Sequence, residues 1–315
     1  MTRKKVLITG ASGFIGKALC RDLAHEHEVI AVTRQPHSAL LKNGITVHSI
    51  QDVFDSNQWK SLLKGVDVVV HLIGKAHDLS TEDKKTIEEY YRINVELTRL
   101  IAEAAIQSGV SQFIYLSSIK VNGNCSDTAP DKKFNEQLEP KPVDIYGKTK
   151  YEAEKVLLLL AKDSSLKMAI VRPPLIYGPG VKANFEKLIT LVNKKIPLPF
   201  KKINNQRSFI YIGNLISLIK KLIEEENTSG VFLVSDNEDV STPELIKKIA
   251  DVLHQKAHLW TFPLSLLYFL ARFCRVENQL KKLTESLAVD CQSTLERLKW
   301  HPPYTMTEGL KETLK

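Results

Sequence analysis

The sequence predicts an α/β protein with a doubly wound parallel sheet and a smaller C-terminal lobe. Apolar runs of strand length alternate with helical patterns through the first half of the chain, which is typical of a parallel sheet covered by helices on both faces. After Arg172 this alternation weakens, and prolines and loops separate shorter apolar runs. The 315 residues are enough for one large core or two modest ones.

The first element is a short buried strand that ends in a glycine-rich turn. The apolar residues near 5–9 are followed by Gly10, Gly13 and Gly16 at three-residue spacing. Gly10 suits a tight turn, Gly13 lets a pyrophosphate approach the backbone, and Gly16 allows close packing of helix on strand. The helix predicted over 14–25 would direct its free N–H groups at that pyrophosphate. An ordinary turn is the alternative, but the position directly after an N-terminal strand favours a nucleotide site.

The elements that follow keep the alternation of strand and helix. Further strands are predicted near 28–33, 45–48, 66–71, 112–117 and 167–172, and further helices near 56–63, 85–108 and 145–162. Because these strands are linked through helices, we expect them to be parallel. Residues 1–175 would then form a dinucleotide-binding domain to which 204–235 partly return. Residues 176–203 and 236–315 would form a lobe that binds substrate.

The end of the second strand bears on which dinucleotide is bound. Sites that prefer NAD place Asp or Glu about 20 residues after the glycines to hold the ribose hydroxyls. This chain has no acid there and carries Arg34 at the turn. Arg34 could pair with a 2′-phosphate or stack on adenine, which favours NADP(H), with NAD(H) as the other candidate. A solvent-facing arginine is the alternative.

Hydroxyl and amine groups follow at positions that suit acid–base chemistry. Tyr146 and Lys150 share one face of the predicted helix 145–162, and a nearby ammonium lowers a tyrosine pKa. The strand 112–117 ends in Ser117-Ser118, at the sheet edge where open α/β folds build their sites. A chance Tyr/Lys pair on a surface helix is the alternative. The order of glycine turn, serine and Tyr/Lys helix argues against it.

With these motifs the chain resembles the extended short-chain dehydrogenases/reductases, and among them the epimerases, dehydratases and 4-keto-reductases of nucleotide sugars. The similar segments are GASGFIG (10–16), HLIG (71–74), LSSIKVNG (116–123), YGKTK (146–150), RPPLIYGPG (172–180), RSFIYIGNL (207–215) and LKWHPPYTMTEGL (298–310). The resemblance implies a Rossmann fold and a Ser/Tyr/Lys catalytic set. Ser118 would be the serine, because it stands three positions before Val121 of a triplet that reads Val-Tyr-Gly in the family. The chain departs from that triplet at Asn122, and Ser117 is the alternative serine.

The same resemblance implies the residues that bind cofactor and substrate. Cofactor contacts would come from Gly10, Ser12, Gly13, Phe14, Ile15, Gly16, Arg34, Asp52, Val53, Leu72, Ile73, Gly74, Asn94, Tyr146, Lys150 and Pro173. Substrate contacts would come from Lys120, Asn184, Leu198, Phe200 and Arg207. Arg207 would grip a diphosphate, which suits its forked guanidinium, and the backbone of 198–200 would recognise uracil. An anionic ligand also fits the nine Lys and Arg residues against two acids from 163 to 207.

The resemblance favours one activity and leaves others open. It implies an NADP(H)-dependent 4-keto-reductase of a UDP-(N-acetyl)-deoxysugar in surface polysaccharide (O-antigen, lipopolysaccharide) biosynthesis. Tyr146 would deliver a proton to O4, Ser118 would polarise the carbonyl, and Lys150 would hold the nicotinamide ribose and lower the Tyr146 pKa. The alternative is an NAD-dependent 4-epimerase of a UDP-hexose, of a UDP-N-acetylhexosamine or of an undecaprenyl-diphosphate-linked N-acetylhexosamine. A protein of this fold that senses NADP without catalysis is a further alternative, against which the complete Ser/Tyr/Lys set argues.

Composition restricts the partners. A formal charge of +8 permits nucleic-acid binding, but no motif for it is present. Four cysteines have no metal-ligand spacing, and no metal site is predicted. The lack of a signal peptide or a long apolar run indicates a cytoplasmic protein without a transmembrane segment. The apolar segment 259–273 could lie in a membrane interface, and packing onto the lobe or onto a partner in a homodimer is the alternative.

Overall fold

The structure is a computed structural model that describes residues 3–35, 44–76, 83–126, 133–225 and 228–315. In chain order its strands are β1 (Lys5–Thr9), β2 (Glu28–Thr33), β3 (Thr46–Ser49), β4 (Val68–His71), β5 (Gln112–Leu116), β6 (Lys167–Arg172), β7 (Leu175–Tyr177), β8 (Phe209–Tyr211) and β9 (Gly230–Leu233). Within the described ranges, seven of them form a parallel sheet in the order β3-β2-β1-β4-β5-β6-β9, and β7 pairs with β8 separately. The predicted fold class is confirmed.

Helices connect the strands and cover the sheet. They are α1 (Phe14–Leu23), α2 (Ser56–Leu63), α3 (Lys84–Tyr91), α4 (Leu97–Gln107), α5 (Ile145–Lys162), α6 (Ala183–Asn193), α7 (Ile212–Glu224), α8 (Thr242–Val252), α9 (Leu264–Phe273), α10 (Glu277–Thr284), α11 (Gln292–Leu298) and α12 (Met306–Thr313). None of these described helices is long and apolar enough to cross a bilayer.

The central strand β1 is buried on both faces. Val6 and Ile8 pack with residues of α1 and α7, whereas Leu7 between them packs with residues of α2, α4 and α5. Successive side chains of a strand point to opposite faces, so a strand between two helical layers needs an uninterrupted apolar run. This explains why the sequence of β1 does not alternate between apolar and polar residues.

The order of the strands places a candidate site at one edge of the sheet. The chain moves from β1 to β2 and β3 on one side, then crosses to β4, β5 and β6 on the other. The carboxyl ends of β1 and β4 therefore diverge into loops on opposite sides, which leaves a crevice at that point. The glycine turn and the loop after β4 line this crevice.

Short backbone pairings join the C-terminal elements to one another and to the segment that precedes β8. The backbone of Leu198 pairs with that of Leu259, and Arg207 pairs with both Val240 and Leu287. Strand β9 lies in the main sheet next to β6. We keep as a proposal the division into a dinucleotide domain of 1–175 with part of 204–235, and a lobe of 176–203 and 236–315.

Candidate active site

The glycine turn between β1 and α1 has a backbone suited to an anion. Gly10 has a φ of +66°, and a Cβ there would lie 3.2 Å from the Ile73 nitrogen. A Cβ on Gly16 would collide with the Gly10 carbonyl oxygen. Helix α1 begins after Gly13 without a side-chain cap and without an acid in its first turn. Its first N–H groups thus fit an anion such as a pyrophosphate.

A buried hydrogen-bond chain supports this turn from below. The Leu72 N–H donates to the Thr9 hydroxyl (3.1 Å), which lies 2.8 Å from His71 Nδ1. His71 Nε2 lies 3.1 Å from the Thr98 hydroxyl, which itself donates to the Asn94 carbonyl (2.8 Å). Because the Thr98 proton is committed, His71 must donate from Nε2 and accept at Nδ1. Burial, with a contribution from Lys150, lowers the pKa of His71 to about 3, so the ring is neutral.

Asn94 connects the loop after β4 to the helix that carries Tyr146. It lies in a π-helical turn, Arg92–Glu96, between α3 and α4. Its side-chain nitrogen donates to the Lys75 carbonyl (3.1 Å) and to the Thr149 hydroxyl (2.9 Å), and its oxygen accepts from the Lys75 N–H (2.7 Å). The protein thus occupies both donors, which indicates that Asn94 holds the loop in place.

Ser118 and Tyr146 meet at the carboxyl edge of β5. Ser118 precedes a short 3₁₀ turn, Ile119–Val121, and its hydroxyl accepts from the Lys120 N–H at 3.3 Å. Burial raises the pKa of Tyr146 to about 12, and a hydrogen bond with Ser118 partly opposes this rise. The phenol is therefore protonated at neutral pH in this structure.

Lys150 lies one helical turn beyond Tyr146 but contacts other groups. Its Nζ donates to the Leu116 carbonyl (2.8 Å) and lies 4.5 Å from the centre of the Tyr115 ring. Burial lowers the pKa of Lys150 to about 7, although the negative charge of Glu154 acts to raise it. The expectation that Lys150 lowers the Tyr146 pKa is therefore not met here, because burial dominates the tyrosine and the ammonium contacts a carbonyl instead.

Ser117, the alternative serine, belongs to a buried ionic network. Its hydroxyl donates to Glu154, which also receives two bonds from Arg172, of 3.0 Å to Oε1 and 2.5 Å to Oε2. The third nitrogen of Arg172 donates to the Asn122 side chain (3.1 Å). Glu154 and Arg172 are nearly inaccessible to solvent. Ser117 is therefore engaged in the interior, and Ser118 is the serine that hydrogen-bonds with Tyr146. Asn122 accepts a hydrogen bond from Arg172.

The residues expected to contact the nicotinamide half lie around the same crevice. A Cβ on Gly74 would lie 3.0 Å from Lys150 Nζ, so the loop after β4 passes against the lysine. Leu72 and Ile73 are half-buried, as are Phe14 and Ile15 on α1, whereas Ser12 is exposed in the turn. Pro173 is buried and accepts the Ile119 N–H through its carbonyl (2.9 Å).

The residues expected near adenine lie at the ends of β2 and β3. Arg34 is exposed and has no partner among the described residues. The Asp52 carboxylate accepts the Phe54 N–H (2.9 Å), and the Val53 carbonyl accepts the Trp59 indole N–H (2.8 Å). These contacts fix the turn before α2.

Lys120 and Arg207, both expected to bind substrate, lie near enough to Lys282 to affect its pKa. Arg207 donates to the Glu285 carbonyl (3.0 Å), and burial lowers its pKa to about 10. Lys120 Nζ lies 3.3 Å from Asp144 Oδ2. The pKa of Lys282 is lowered by partial burial and by the positive charges of Lys120 and Arg207. The negative charge of Asp144 acts in the opposite direction. Sequence reasoning missed Lys282, because it lies on α10 and nothing local marks it.

The other predicted substrate residues are more dispersed. Asn184 is exposed in the first turn of α6. The Leu198 N–H donates to the His258 carbonyl (2.8 Å), and its carbonyl accepts from Trp260 (3.1 Å). The Leu198 N–H is thus unavailable to uracil, and the expectation for the backbone of 198–200 stays a prediction that rests on Phe200. Phe200 retains an N–H without a partner among the described residues.

Comparison with known proteins finds a family and relatives to which the chain is similar. Residues 6–234 match the NAD dependent epimerase/dehydratase family. The chain is 38% identical to a UDP-glucose 4-epimerase of Vibrio cholerae, across 98% of this chain and 94% of that protein. It is 27% identical to the N-acetyl-alpha-D-glucosaminyl-diphospho-ditrans,octacis-undecaprenol 4-epimerase of Escherichia coli O157:H7, across 98% and 94%.

Solved structures show the same fold. The UDP-glucuronic acid 4-epimerase from Bacillus cereus in complex with NAD matches with a TM-score of 0.78 at 22% identity, covering 98% of this chain and 94% of that one. The UDP-N-acetylglucosamine 4-epimerase from Bacillus cereus matches with a TM-score of 0.79 at 18% identity, covering 98% and 97%.

Proposed function

The chain belongs to the NAD dependent epimerase/dehydratase family, and from this premise we propose that it is a nicotinamide-dependent 4-epimerase of a UDP-sugar. The observation that carries the proposal is the meeting of the Ser118 and Tyr146 hydroxyls next to Lys150, at the carboxyl edge of a sheet whose glycine turn fits a dinucleotide. The similarity to a protein named as a UDP-glucose 4-epimerase favours epimerisation over the reduction that the sequence predicts.

The side chains of the site would handle the proton at the C4 oxygen of the sugar. The nicotinamide, when bound, supplies the acceptor and donor of hydride at C4. Tyr146 would take the hydroxyl proton and later return it, while Ser118 hydrogen-bonds the same oxygen. With a pKa of about 12, Tyr146 is protonated and can donate its proton. It must be ionised before it can accept a proton from the sugar hydroxyl, which requires a lower pKa. Movement of the Lys150 ammonium from the Leu116 carbonyl toward Tyr146 would lower it.

Lys120, Arg207 and Lys282 would hold the diphosphate of the substrate. Lys120 and Arg207 act to lower the pKa of Lys282, although Asp144 opposes them, and a diphosphate would supply negative charge to all three cations. Arg207 is fixed by the Glu285 carbonyl and by backbone pairing on both sides, so its fork is oriented before binding. Phe200 would offer its free N–H to the base.

The cofactor is proposed to be NAD(H), because an epimerase returns hydride to the same carbon and consumes none. NAD is also the dinucleotide in complex with the UDP-glucuronic acid 4-epimerase from Bacillus cereus. A reductase that uses NADP(H) is the second candidate. Arg34 favours it, because this residue is exposed and has no partner among the described residues. Titration of wild type and Arg34→Ala with NADH and NADPH distinguishes them. Selective loss of NADPH binding shows that Arg34 contacts a 2′-phosphate.

The activity test uses pairs of C4 epimers. The protein is incubated with UDP-glucose, UDP-galactose, UDP-N-acetylglucosamine or UDP-N-acetylgalactosamine, with NAD, and the products are assigned by proton NMR. An epimerase reaches the same mixture from either member of a pair, without net change in reduced nicotinamide. Oxidation of one NADPH for each 4-keto sugar consumed, with no interconversion of epimers, would establish the reductase instead. Activity confined to a polyprenyl-diphosphate sugar would reject the UDP-sugar as substrate.

A further inference from the structure

One side of the C-terminal lobe exposes large apolar side chains. We call it the α9 surface, and it consists of Trp260, Leu264, Leu266, Phe269, Leu270 and Phe273. Phe273 is 84% exposed and Phe269 is 68% exposed, the largest values among the exposed large hydrophobic residues described. A concentration of this kind on one face marks an interaction surface, whereas single exposed apolar residues are ordinary.

The exposed residues form a continuous stripe along α9. Leu266, Phe269, Leu270 and Phe273 have the spacing of one helix face. The opposite face carries the buried Ala271 and packs onto the lobe. Helix α9 is thus apolar on the side that faces the protein and also on the side that faces water.

An apolar groove lies beside the stripe. It encloses about 350 Å³ between α9 and α10, and its walls include Phe200, Leu267, Leu270 and Leu280. A second hollow at the start of α9 is lined by Phe262, Pro263 and Leu264, with Lys202 at its edge. The apolar surface is therefore larger than the helix stripe alone.

The two chain segments that carry and border this surface hold basic residues and no acid. No acid occurs from Lys187 to Ile223 or from Val252 to Val276. These two acid-free segments pair with each other, since the Lys201 N–H donates to the Trp260 carbonyl (3.2 Å). The pairing brings exposed lysines, Lys201 and Lys202, beside the start of α9.

The far end of α9 is also basic. Arg272 and Arg275 are exposed there. The first acid beyond them, Glu277, pairs with Lys281 at 3.1 Å. Cations therefore flank the apolar stripe at both ends, without a free carboxylate between them along these segments.

We propose that the α9 surface docks onto an anionic lipid bilayer, with α9 lying in the plane of the membrane interface. The 10 residues of this helix extend about 15 Å, which suits an interfacial helix and is too short to span. Flanking Lys and Arg would meet lipid phosphates while the Phe and Leu side chains enter the acyl boundary. A second copy of the chain fits less well, because a two-fold contact through this surface would bring basic ends together.

Flotation of the full chain with vesicles tests the proposal. Vesicles of phosphatidylcholine alone are compared with vesicles of phosphatidylcholine and phosphatidylglycerol in equal parts, at low and high salt. We expect the protein to float with the anionic vesicles and to be released by salt. Failure to float with anionic vesicles at low salt would overturn the proposal, as would equal binding to neutral vesicles.

Variants separate the apolar contribution from the electrostatic one. Phe269→Gln/Phe273→Gln should lower binding about tenfold or more, because two rings no longer enter the bilayer. Arg272→Gln/Arg275→Gln should lower it about tenfold and weaken its salt dependence. Matched controls remove two exposed apolar residues elsewhere (Leu138→Gln/Leu159→Gln) or two exposed lysines (Lys60→Gln/Lys162→Gln), and should bind as the wild type does.

The folded state and the oligomeric state of these variants are measured as well. Thermal unfolding of each variant checks that the fold is retained. Sedimentation of the wild type and of Phe269→Gln/Phe273→Gln shows whether the surface joins two copies in solution. A dimer that this double variant dissociates, or a folded double variant that still floats as well as the wild type, would contradict membrane docking.

Discussion

Ser117 and Ser118 are neighbours in sequence but face opposite sides of the chain. Ser118 has extended backbone angles, φ −158° and ψ 150°, and successive side chains of an extended chain alternate in direction. Ser117 therefore reaches Glu154 in the interior, and Ser118 reaches Tyr146 at the sheet edge. A difference of one position thus separates a structural hydroxyl from one that can meet a substrate.

Replacing Tyr146 by phenylalanine removes the proposed acid–base group and little else. We expect turnover to fall by about 10²–10⁴-fold, the usual contribution of such a group, while dinucleotide affinity changes little. The measurement is the epimerisation rate, together with a titration by nicotinamide fluorescence. Tyr151→Phe on the same helix is the control and should retain activity. More than about a tenth of wild-type activity in Tyr146→Phe would disprove the assignment.

The three cations of the substrate side should contribute unequally to diphosphate binding. A charged hydrogen bond is worth about 1.5–3 kcal/mol, so Arg207→Ala should weaken UDP about tenfold to a hundredfold. Lys282→Ala should weaken it less, because a single ammonium cannot hold two oxygens in a fork. Calorimetry of UDP binding measures both, with Lys201→Ala as the exposed control. Unchanged binding by Arg207→Ala would show that the diphosphate lies elsewhere.

At the level of elements, local sequence signals predicted the bounds of two helices but not the π-helical turn inside one of them. Helix α5 runs over the predicted 145–162, because Asp144 caps it by accepting the Gly147 N–H at 2.8 Å. The helix predicted over 85–108 is confirmed as a continuous helical run from Lys84 to Gln107, and a π-helical turn, Arg92–Glu96, lies within it between α3 and α4. That turn carries Asn94, whose partners lie 19 and 55 residues away. No local pattern could have indicated contacts of that kind.

The same limit applies to the candidate site. The glycine turn, Ser118, Tyr146 and Lys150 could be predicted, since each lies in a short segment whose spacing reflects its chemistry. Lys282 could not, because it approaches Lys120 only through the packing of α10. The state of Lys150 also depends on tertiary structure, since the Leu116 carbonyl comes from another element.

Helix α5 approaches the Ser118 loop closely at one residue. A Cβ on Gly147 would lie 2.5 Å from the Lys120 carbonyl oxygen, so Gly147→Ala must push the helix and the loop apart. We expect a loss of about 1–3 kcal/mol in the free energy of unfolding and a larger loss of turnover, because Ser118 and Tyr146 separate. Lys148→Ala, at the exposed neighbouring position, is the control. Denaturant unfolding and rate measurements that find Gly147→Ala equal to this control would contradict the expected contact.

At the level of the whole molecule, His71 links acid sensitivity to the core beneath the glycine turn. Its pKa is about 3 in the folded protein, below the ordinary value of 6.5, so only the unfolded chain binds its proton between these values. The stability it contributes is therefore complete above pH 6.5 and is lost as the pH falls toward 3, at up to about 1.4 kcal/mol per pH unit.

Substitution of His71 should reduce this acid sensitivity. The free energy of unfolding of His71→Asn should depend less on pH in that window, whatever its level at neutral pH. Denaturant titrations across the window measure the slope. His258→Gln, an exposed histidine, should keep the wild-type slope, and an identical slope in His71→Asn would refute the argument.

The segment that carries Arg207 is flanked by Val240 and Leu287, which come later in the chain. During synthesis, the glycine turn, Ser118, Tyr146, Lys150 and strands β1 to β6 of the main sheet are all complete at Arg172. Arg207 gains its last neighbour roughly 100 residues later, on the order of ten seconds at usual rates of elongation. We therefore expect a growing chain to acquire dinucleotide affinity before UDP affinity. Ribosome-arrested chains that end before Glu285 and yet hold UDP would contradict this order.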